Sequence, residues 1–231
     1  MMDPPFIMLH NTDMERYRWN TFWTKEPETI AWIDSFQPGD VFWDIGANIG
    51  VYSLYAASRA RGIRVIAVEP HEQNNRTLHL NRDYNRFSGH PGDFTSMMIL
   101  SYAMGNEVDM LRLQVPDLAS GSTGAQVCLT EGCPVQVETV DNLCELFPVP
   151  AHVKIDIDGQ ELAVVQGMSN TLPRIKSVLV EVNPQNQLAI CFLMARAGFD
   201  TDNRFNDMTP HSRERRKAEH INVENIVFTR R

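Results

Sequence analysis

The chain has 231 residues, 43% of them hydrophobic, and a formal charge of −8. That length carries one substantial core, and no Gly/Ser-rich or Pro-rich linker divides it, so we expect a single domain over 37–231 preceded by an aromatic-rich extension over 1–36. The acidic excess is scattered, which argues against a general affinity for nucleic acid or anionic membrane and favours a small molecule or a neutral or cationic partner.

In the extension, Tyr17, Trp19, Phe22 and Trp23 read as hydrophobic packing of a leading helix, with a cover or sugar-stacking wall over an active site as the alternative. From Val41 the chain alternates β-branched runs with amphipathic stretches, the pattern of βαβ units around a parallel sheet. Gly39-Asp40 turns into a first strand, VFWDI, and the helix after Gly50 places Val51, Leu54, Tyr55 and Ser58 on one face. A second strand, RVIAV, is closed by Glu69-Pro70, and a third, MMILS, follows. Two β-like runs, 110–115 and 135–140, are expected to pair as a hairpin with a tip too long for an ordinary connection. Ser120, Ser122 and Thr123 in that tip are candidate hydrogen-bond donors to a polyol.

The fourth strand, HVKID, leads through Gly159 into a helix carrying Leu162, Val165 and Met168. SVLVEV follows, with Asn183 expected to cap a helix whose first residue is Pro184 and whose buried face is Leu188, Cys191, Phe192 and Ala195. Gly198 falls at a left-handed C-cap, 211–220 is expected to be a solvated charged helix, and NIVFT is the last strand. No stretch approaches roughly 18 apolar residues, and MMDPPFIMLHNTDMER lacks a basic segment followed by an apolar run, so a cytoplasmic protein is expected. Cys128, Cys133, Cys144 and Cys191 are expected as free thiols without zinc spacing, although Cys128 and Cys133 flank a loop that a disulfide could close.

The segment Asp44-Ile45-Gly46-Ala47-Asn48-Ile49-Gly50 ends a strand and opens a helix, where ligands bind in open α/β sheets. Gly46 and Gly50 are expected to let backbone approach a ligand closely. A dinucleotide fingerprint is absent, because Asn48 takes the second glycine position. Asp44 would repel a pyrophosphate but accept a hydrogen bond from the ammonium of a methionine moiety. Glu69, 25 residues on, stands where a ribose would lie and can accept from both its hydroxyls. Asp44 and Glu69 also have readings as caps or turn residues, yet the pair with two glycines between them favours a cofactor site for S-adenosylmethionine. Ser101, Tyr102 and Ala103 follow the third strand, where adenine contacts are expected.

The ordered set PGDVFWDIGANIGVYS, VEP, TVDNL, KIDIDGQE and LVE resembles the FkbM family of methyltransferases, from about Glu26 to Gly198. That resemblance implies a Rossmann-like class I methyltransferase fold: a doubly wound, mostly parallel seven-stranded sheet with an antiparallel C-terminal strand. It further implies S-adenosyl-L-methionine as donor and O-methylation of a hydroxyl on a sugar, polysaccharide precursor or natural product. Asp158 stands where the family carries glutamate, and 87–95 is polar where members are compact.

Methyl transfer from a sulfonium is an in-line displacement, so alignment and a proton acceptor are what the protein must add. Asp156, ending the fourth strand, is the candidate acceptor; Lys154 shares its side of the strand and can lower its pKa or orient a substrate oxygen. Asp158 and Glu161 are candidates that also read as a turn residue and a first-turn acid, and Glu181 ends a strand at the same edge. No metal is expected. An RNA ribose methyltransferase using Lys25, Asp156, Lys176 and Glu181 is the enzymatic alternative, set against by net charge. A non-catalytic cofactor-binding protein is the alternative of another class, set against by the intact acidic residues and glycines.

Overall fold

The structure, a computed structural model, describes residues 3–59, 62–87, 97–117, 119–208 and 223–231. Helices α1 (Asp13–Asn20), α2 (Phe22–Lys25) and α3 (Pro27–Asp34) lead into β1 (Val41–Ile45), α4 (Val51–Ser58), β2 (Arg64–Val68), α5 (Glu72–Tyr84) and β3 (Met97–Leu100). Next come β4 (Ala103–Met104), β5 (Asp109–Gln114), β6 (Gln126–Cys128), β7 (Cys133–Glu138) and α6 (Val140–Leu143). The chain continues through β8 (His152–Ile155), α7 (Glu161–Gln166), β9 (Ser177–Val182), α8 (Gln187–Arg196), β10 (Phe199–Thr201), α9 (Asn203–Asn206) and β11 (Glu224–Arg230).

Seven strands form one sheet in the order β10-β11-β9-β8-β1-β2-β3. Pairing is parallel from β9 to β3, and β11 runs antiparallel to both β9 and β10. This is the doubly wound class I methyltransferase arrangement expected from the resemblance. Strand order reverses between β1 and β8, so the crevice beyond their carboxyl ends is the place for a ligand. Alternate residues of each strand enter separate cores. Trp43, Ile45, Val153, Ile155, Val178 and Val180 face one, while Phe42, Val65, Ala67 and Leu179 face the other.

The extension completes the second core. Phe6, Phe22, Ile30, Trp32 and Ile33 pack there with Tyr52 and Tyr55, and Trp19 and Trp23 lie against them, whereas Tyr17 is exposed. This explains why α4 is buried from Val51 to Ala56 rather than along a single stripe: the sheet covers one side and the extension the other.

The runs expected as a hairpin do pair, β5 against β7, but the tip between them forms an additional strand, β6, on the far edge of β5. The second sheet therefore runs β4-β7-β5-β6. Cys128 pairs with Arg112 and Cys133 with Leu113 from opposite sides of β5, so a strand separates the two thiols and no disulfide joins them. Gly132, at φ +98°, makes that crossing: a Cβ there would lie 2.1 Å from the Leu113 carbonyl oxygen.

Other expectations need correction. The third and fourth strands end one residue early, at Leu100 and Ile155. Helix α8 starts at Gln187 because Asn183 instead closes a turn, its Oδ1 accepting from the Gln185 and Asn186 N–H groups. Its buried residues are Ile190 and Met194, while Leu188 and Phe192 are 82% and 60% exposed. The segment is apolar on two faces, and periodicity alone chose the wrong one. Gly198 does take the left-handed conformation, at φ +86°. Nearly all of the polar segment 87–95, and the whole charged run 211–220, lie outside the described residues. Among the described residues no helix is long and apolar enough to cross a membrane.

At the amino ends of the parallel strands lies a buried polar network. Trp32 Nε1 donates to Ser177 Oγ at 2.8 Å, and Ser177 Oγ lies 2.7 Å from His152 Nδ1. His152 Nε2 lies 2.9 Å from Asp40 Oδ2, and Lys176 Nζ donates to Asp40 Oδ1 at 2.7 Å. Phe36 stacks on the imidazole with centroids 3.8 Å apart.

Candidate active site

The glycine loop, 46–50, leaves β1 at the switch point. Gly46 and Gly50 have φ of +82° and +93°. Their missing side chains make room for neighbouring protein. A Cβ on Gly46 would lie 1.8 Å from the Asp156 carbonyl oxygen, and one on Gly50 would lie 2.3 Å from Leu78. Close packing of the loop onto the end of β8, and of α4 beside α5, thus requires both. Asn48 takes a left-handed φ of 53°, donates its backbone N–H to Glu69 Oε2 at 2.8 Å, and donates from Nδ2 to the Ser122 carbonyl at 2.7 Å.

Asp44 is buried. Its Oδ2 accepts from Ser53 Oγ at 2.5 Å, while its Oδ1 has no hydrogen-bond partner and stands 4.0 Å from Lys154 Nζ. Burial raises its pKa against the pull of Lys154. Glu69 is also buried, with Oε1 accepting from the His71 N–H at 2.9 Å. Burial pushes its carboxyl up to about 7 despite two backbone donors.

Lys154 and Asp156 point to the same side of β8 and its extension. Lys154 Nζ lies 2.7 Å from Asp156 Oδ2, and 5.3 Å from the centroid of the Tyr52 ring. Burial raises the Asp156 pKa, but the adjacent ammonium more than reverses this and holds the carboxylate ionised. Burial lowers the Lys154 pKa, yet Asp156, Asp44 and Glu26 together raise it above its ordinary value. Glu26, fully buried, accepts from Lys25 Nζ at 2.6 Å and from Thr29 Oγ1 at 3.2 Å, and Tyr52 hydrogen-bonds to it. Sequence reading did not assign Glu26, Tyr52 or Ser53 to the site. The only local signal at Glu26 was Pro27 behind it, which marks a helix start and not a buried charge.

Beside this cluster lies a small, partly open apolar cavity lined by Gly46, Val68, Pro70, Tyr102, Ala103 and Ile157, among others, with Leu113 and Val127 of the second sheet on its far wall. Ser101 is exposed and is not part of the lining.

Asp158, exposed and at φ 57°, accepts from the Gly124 N–H at 2.7 Å, so it anchors a loop. Glu161 likewise caps its own turn, accepting from the Gly159 N–H at 2.8 Å and from Asn186 Nδ2 at 2.9 Å. Glu181 is half-buried on β9 opposite Asn225. The Ser120 and Ser122 hydroxyls donate to Thr77 Oγ1 and the Asp117 carbonyl, so neither is directed at a polyol; Thr123 is exposed. Lys176 is bound to Asp40 at the far end of β9, so Lys25, Asp156, Lys176 and Glu181 do not assemble into one set. Among the described residues no His/Cys/Asp/Glu group is arranged to hold a metal.

A switch-point crevice, an acidic residue at each of two adjacent strand ends and a glycine loop between them are arranged as in the class I methyltransferase fold. The fold agrees with solved structures. Methyltransferase FkbM from Methylobacillus flagellatus superposes with a TM-score of 0.57 at 15% identity, covering 94% of this chain and 55% of that one. Magnesium protoporphyrin IX methyltransferase from Synechocystis, with bound SAM, superposes with a TM-score of 0.53 at 10% identity, over 98% and 88% of the two chains. Residues 44–201, more than half of the chain, match the methyltransferase FkbM domain, and the protein belongs to that family. It is 29% identical over 155 residues to the hexuronic acid methyltransferase AglP of Haloferax volcanii, covering 65% of this chain and 59% of AglP. It is also 26% identical over 182 residues to the 31-O-demethyl-FK506 methyltransferase FkbM of Streptomyces tacrolimicus, covering 64% of this chain and 66% of that protein. The chain thus spans less than two thirds of the length of each.

Proposed function

We propose that the protein is an S-adenosylmethionine-dependent O-methyltransferase acting on a hydroxyl of a sugar, polysaccharide precursor or natural product. One observation carries this reading: a buried carboxylate with an unpartnered oxygen, Asp44, and a second buried carboxylate, Glu69, flank an apolar cavity with the Lys154–Asp156 pair beside it. When bound, S-adenosylmethionine supplies a methyl group already activated on a sulfonium.

Asp44 offers its free oxygen to the ammonium of the methionine end, directly or through water. Glu69 accepts from the ribose hydroxyls with the lone pairs its backbone donors leave unused. Tyr102, Ala103 and Pro70 enclose the adenine. At the mouth, Lys154 fixes the orientation of Asp156, whose ionised carboxylate accepts a hydrogen bond from the acceptor alcohol and takes its proton as the carbon–oxygen bond forms. A depressed pKa does not impede that transfer, because an alcohol gaining a methyl group becomes a far stronger acid than any carboxylic acid. Asp158 and Glu181 sit outside this path in our reading, Asp158 as an anchor of loop 119–124. Residues 1–36 act as an extension to the methyltransferase domain of 37–231, packing on α4 and bringing Lys25 and Glu26 to the Lys154–Asp156 pair. We place the protein in the cytoplasm, a reading supported by four cysteines that remain free thiols.

Calorimetry with S-adenosylmethionine and transfer to a panel of sugar and polyketide hydroxyls test this reading. Asp156→Asn is expected to bind the cofactor as wild type and to lose roughly 10²- to 10⁴-fold in turnover. Full turnover by this variant would remove Asp156 from the proton path.

A further inference from the structure

The segment 119–124 has no regular structure, yet Ser120 and Ser122 are buried, 5% and 6% exposed. Its backbone is held from four directions. Thr12 Oγ1 donates to the Ser120 carbonyl, and Asn48 and Asn74 both donate to the Ser122 carbonyl. Asn74 Oδ1 accepts from the Gly121 N–H, and Asp158 accepts from that of Gly124. The segment is therefore a strap running from α5 over the glycine loop to the turn after β8. The remaining anchor is Arg18 of α1, whose Nε and Nη2 both donate to the Gly121 carbonyl, at 3.1 and 2.9 Å.

We infer that Arg18 is a positioning residue of the cofactor site: from the N-terminal extension its guanidinium pins strap 119–124 across the crevice and sets a positive charge over Glu69. This rests on the reading of Glu69 as the ribose acceptor. The connection is continuous, since the strap holds Asn48, and the Asn48 N–H holds Glu69 Oε2. The charged and titratable groups around Glu69 are few. Asp44 on β1 opposes its ionisation and Arg18 on α1 favours it; the following His71 contributes its N–H, and burial lowers the pKa of its imidazole despite Asp117 and Glu72. Asp158, on the turn after β8, shares the Arg18 field. With its carboxyl pushed up to about 7 by burial, Glu69 is held toward the ionised form by the His71 and Asn48 N–H groups, with the Arg18 charge adding to them.

The test uses the full chain, wild type, Arg18→Met and Arg18→Lys, with S-adenosylhomocysteine affinity measured from about pH 6 to about pH 8.5 across the Glu69 titration. Backbone hydrogen exchange of the strap is followed in the unliganded proteins. Wild-type affinity is expected to rise with pH through about 7. In Arg18→Met the rise moves to higher pH, affinity near neutrality falls roughly threefold, and the strap exchanges faster. Arg18→Lys keeps the charge and the wild-type pH midpoint but still exchanges faster, because an ammonium lacks the guanidinium fork. An Arg18→Met protein with wild-type midpoint and wild-type exchange overturns the inference. A wild type that binds no S-adenosylhomocysteine defeats the cofactor reading instead, and the exchange measurement still decides whether Arg18 holds the strap.

Discussion

Strands β1 and β8 carry two buried polar networks, one at each end, and their difference separates structure from function. At the amino end, Asp40, His152, Ser177 and the Trp32 indole satisfy one another, with Lys176 on the outer carboxylate oxygen. At the carboxyl end, Asp44, Glu26 and Asp156 surround Lys154, and the Asp44 Oδ1 atom is left without a hydrogen bond. A saturated network contributes rigidity. An unsaturated one costs stability, and in our proposal it does so to keep a carboxylate oxygen for the cofactor.

The largest effect should come from removing the shared cation. Lys154→Met leaves three carboxylates facing one another in a site from which water is nearly excluded, and about 3–5 kcal/mol of stability should be lost in urea unfolding. A loss below about 1 kcal/mol would mean that the cluster is solvated and its strain illusory. At the other end, Asp40→Asn weakens charge-assisted bonds to His152 and to the half-exposed Lys176. A loss of about 1.5–3 kcal/mol is expected, with S-adenosylhomocysteine binding unchanged.

Asp44→Asn sharpens the contrast because its two effects have opposite signs. Removing an incompletely paired buried charge should leave stability equal or slightly higher, while cofactor affinity falls about tenfold, or about 1.4 kcal/mol. A variant that loses stability and keeps affinity would assign Asp44 to the scaffold.

How much of this was legible beforehand depended on distance along the chain. Asp44, Gly46, Glu69 and Asp156 lie at strand ends, and strand ends are marked locally by β-branched runs stopping at Gly, Pro or Asp. The parallel sheet followed from the same alternation, while its seven strands and antiparallel last strand were implied only by the family resemblance. Contacts across a hundred residues left no such mark: Arg18 meets Gly121, Thr12 meets Ser120, and Glu26 turns inward because Tyr52 and Lys154 are there. Nor could composition tell that the tip after β5 would add β6 and pass back under the strand through Gly132, since polar residues with glycines serve a loop and an edge strand equally. On α8 the failure was different. QLAICFLMAR offers two apolar stripes, and only the position of the sheet selects Ile190 and Met194.

The smallest effect is the pH dependence of the amino-end network. Burial depresses the His152 pKa below its ordinary 6.5, even though Asp40 pulls it upward. An unfolded chain then takes up a proton near pH 6.5 that the folded chain refuses, so stability is full above that pH and declines as pH falls toward the folded value. Asp40 acts in the same direction lower down. Burial opposes its ionisation, but Lys176 and His152 hold its carboxyl below 3.8, so the stability it contributes above 3.8 is lost as pH drops through its folded pKa. Urea midpoints measured between about pH 8 and about pH 5 should therefore fall with acid in wild type, and His152→Gln should flatten the part of the curve just below 6.5. If a fall in that range survives the substitution, the titrating group is another imidazole whose pKa burial lowers, His71 or His79; if the midpoints instead rise with acid, Glu69, at about 7, is the group to replace by Gln. Its sign is opposite: a carboxyl raised by burial binds a proton more tightly when folded, so its contribution to stability grows as pH falls through 7. The direction of the slope therefore tells which end of the two strands is being read.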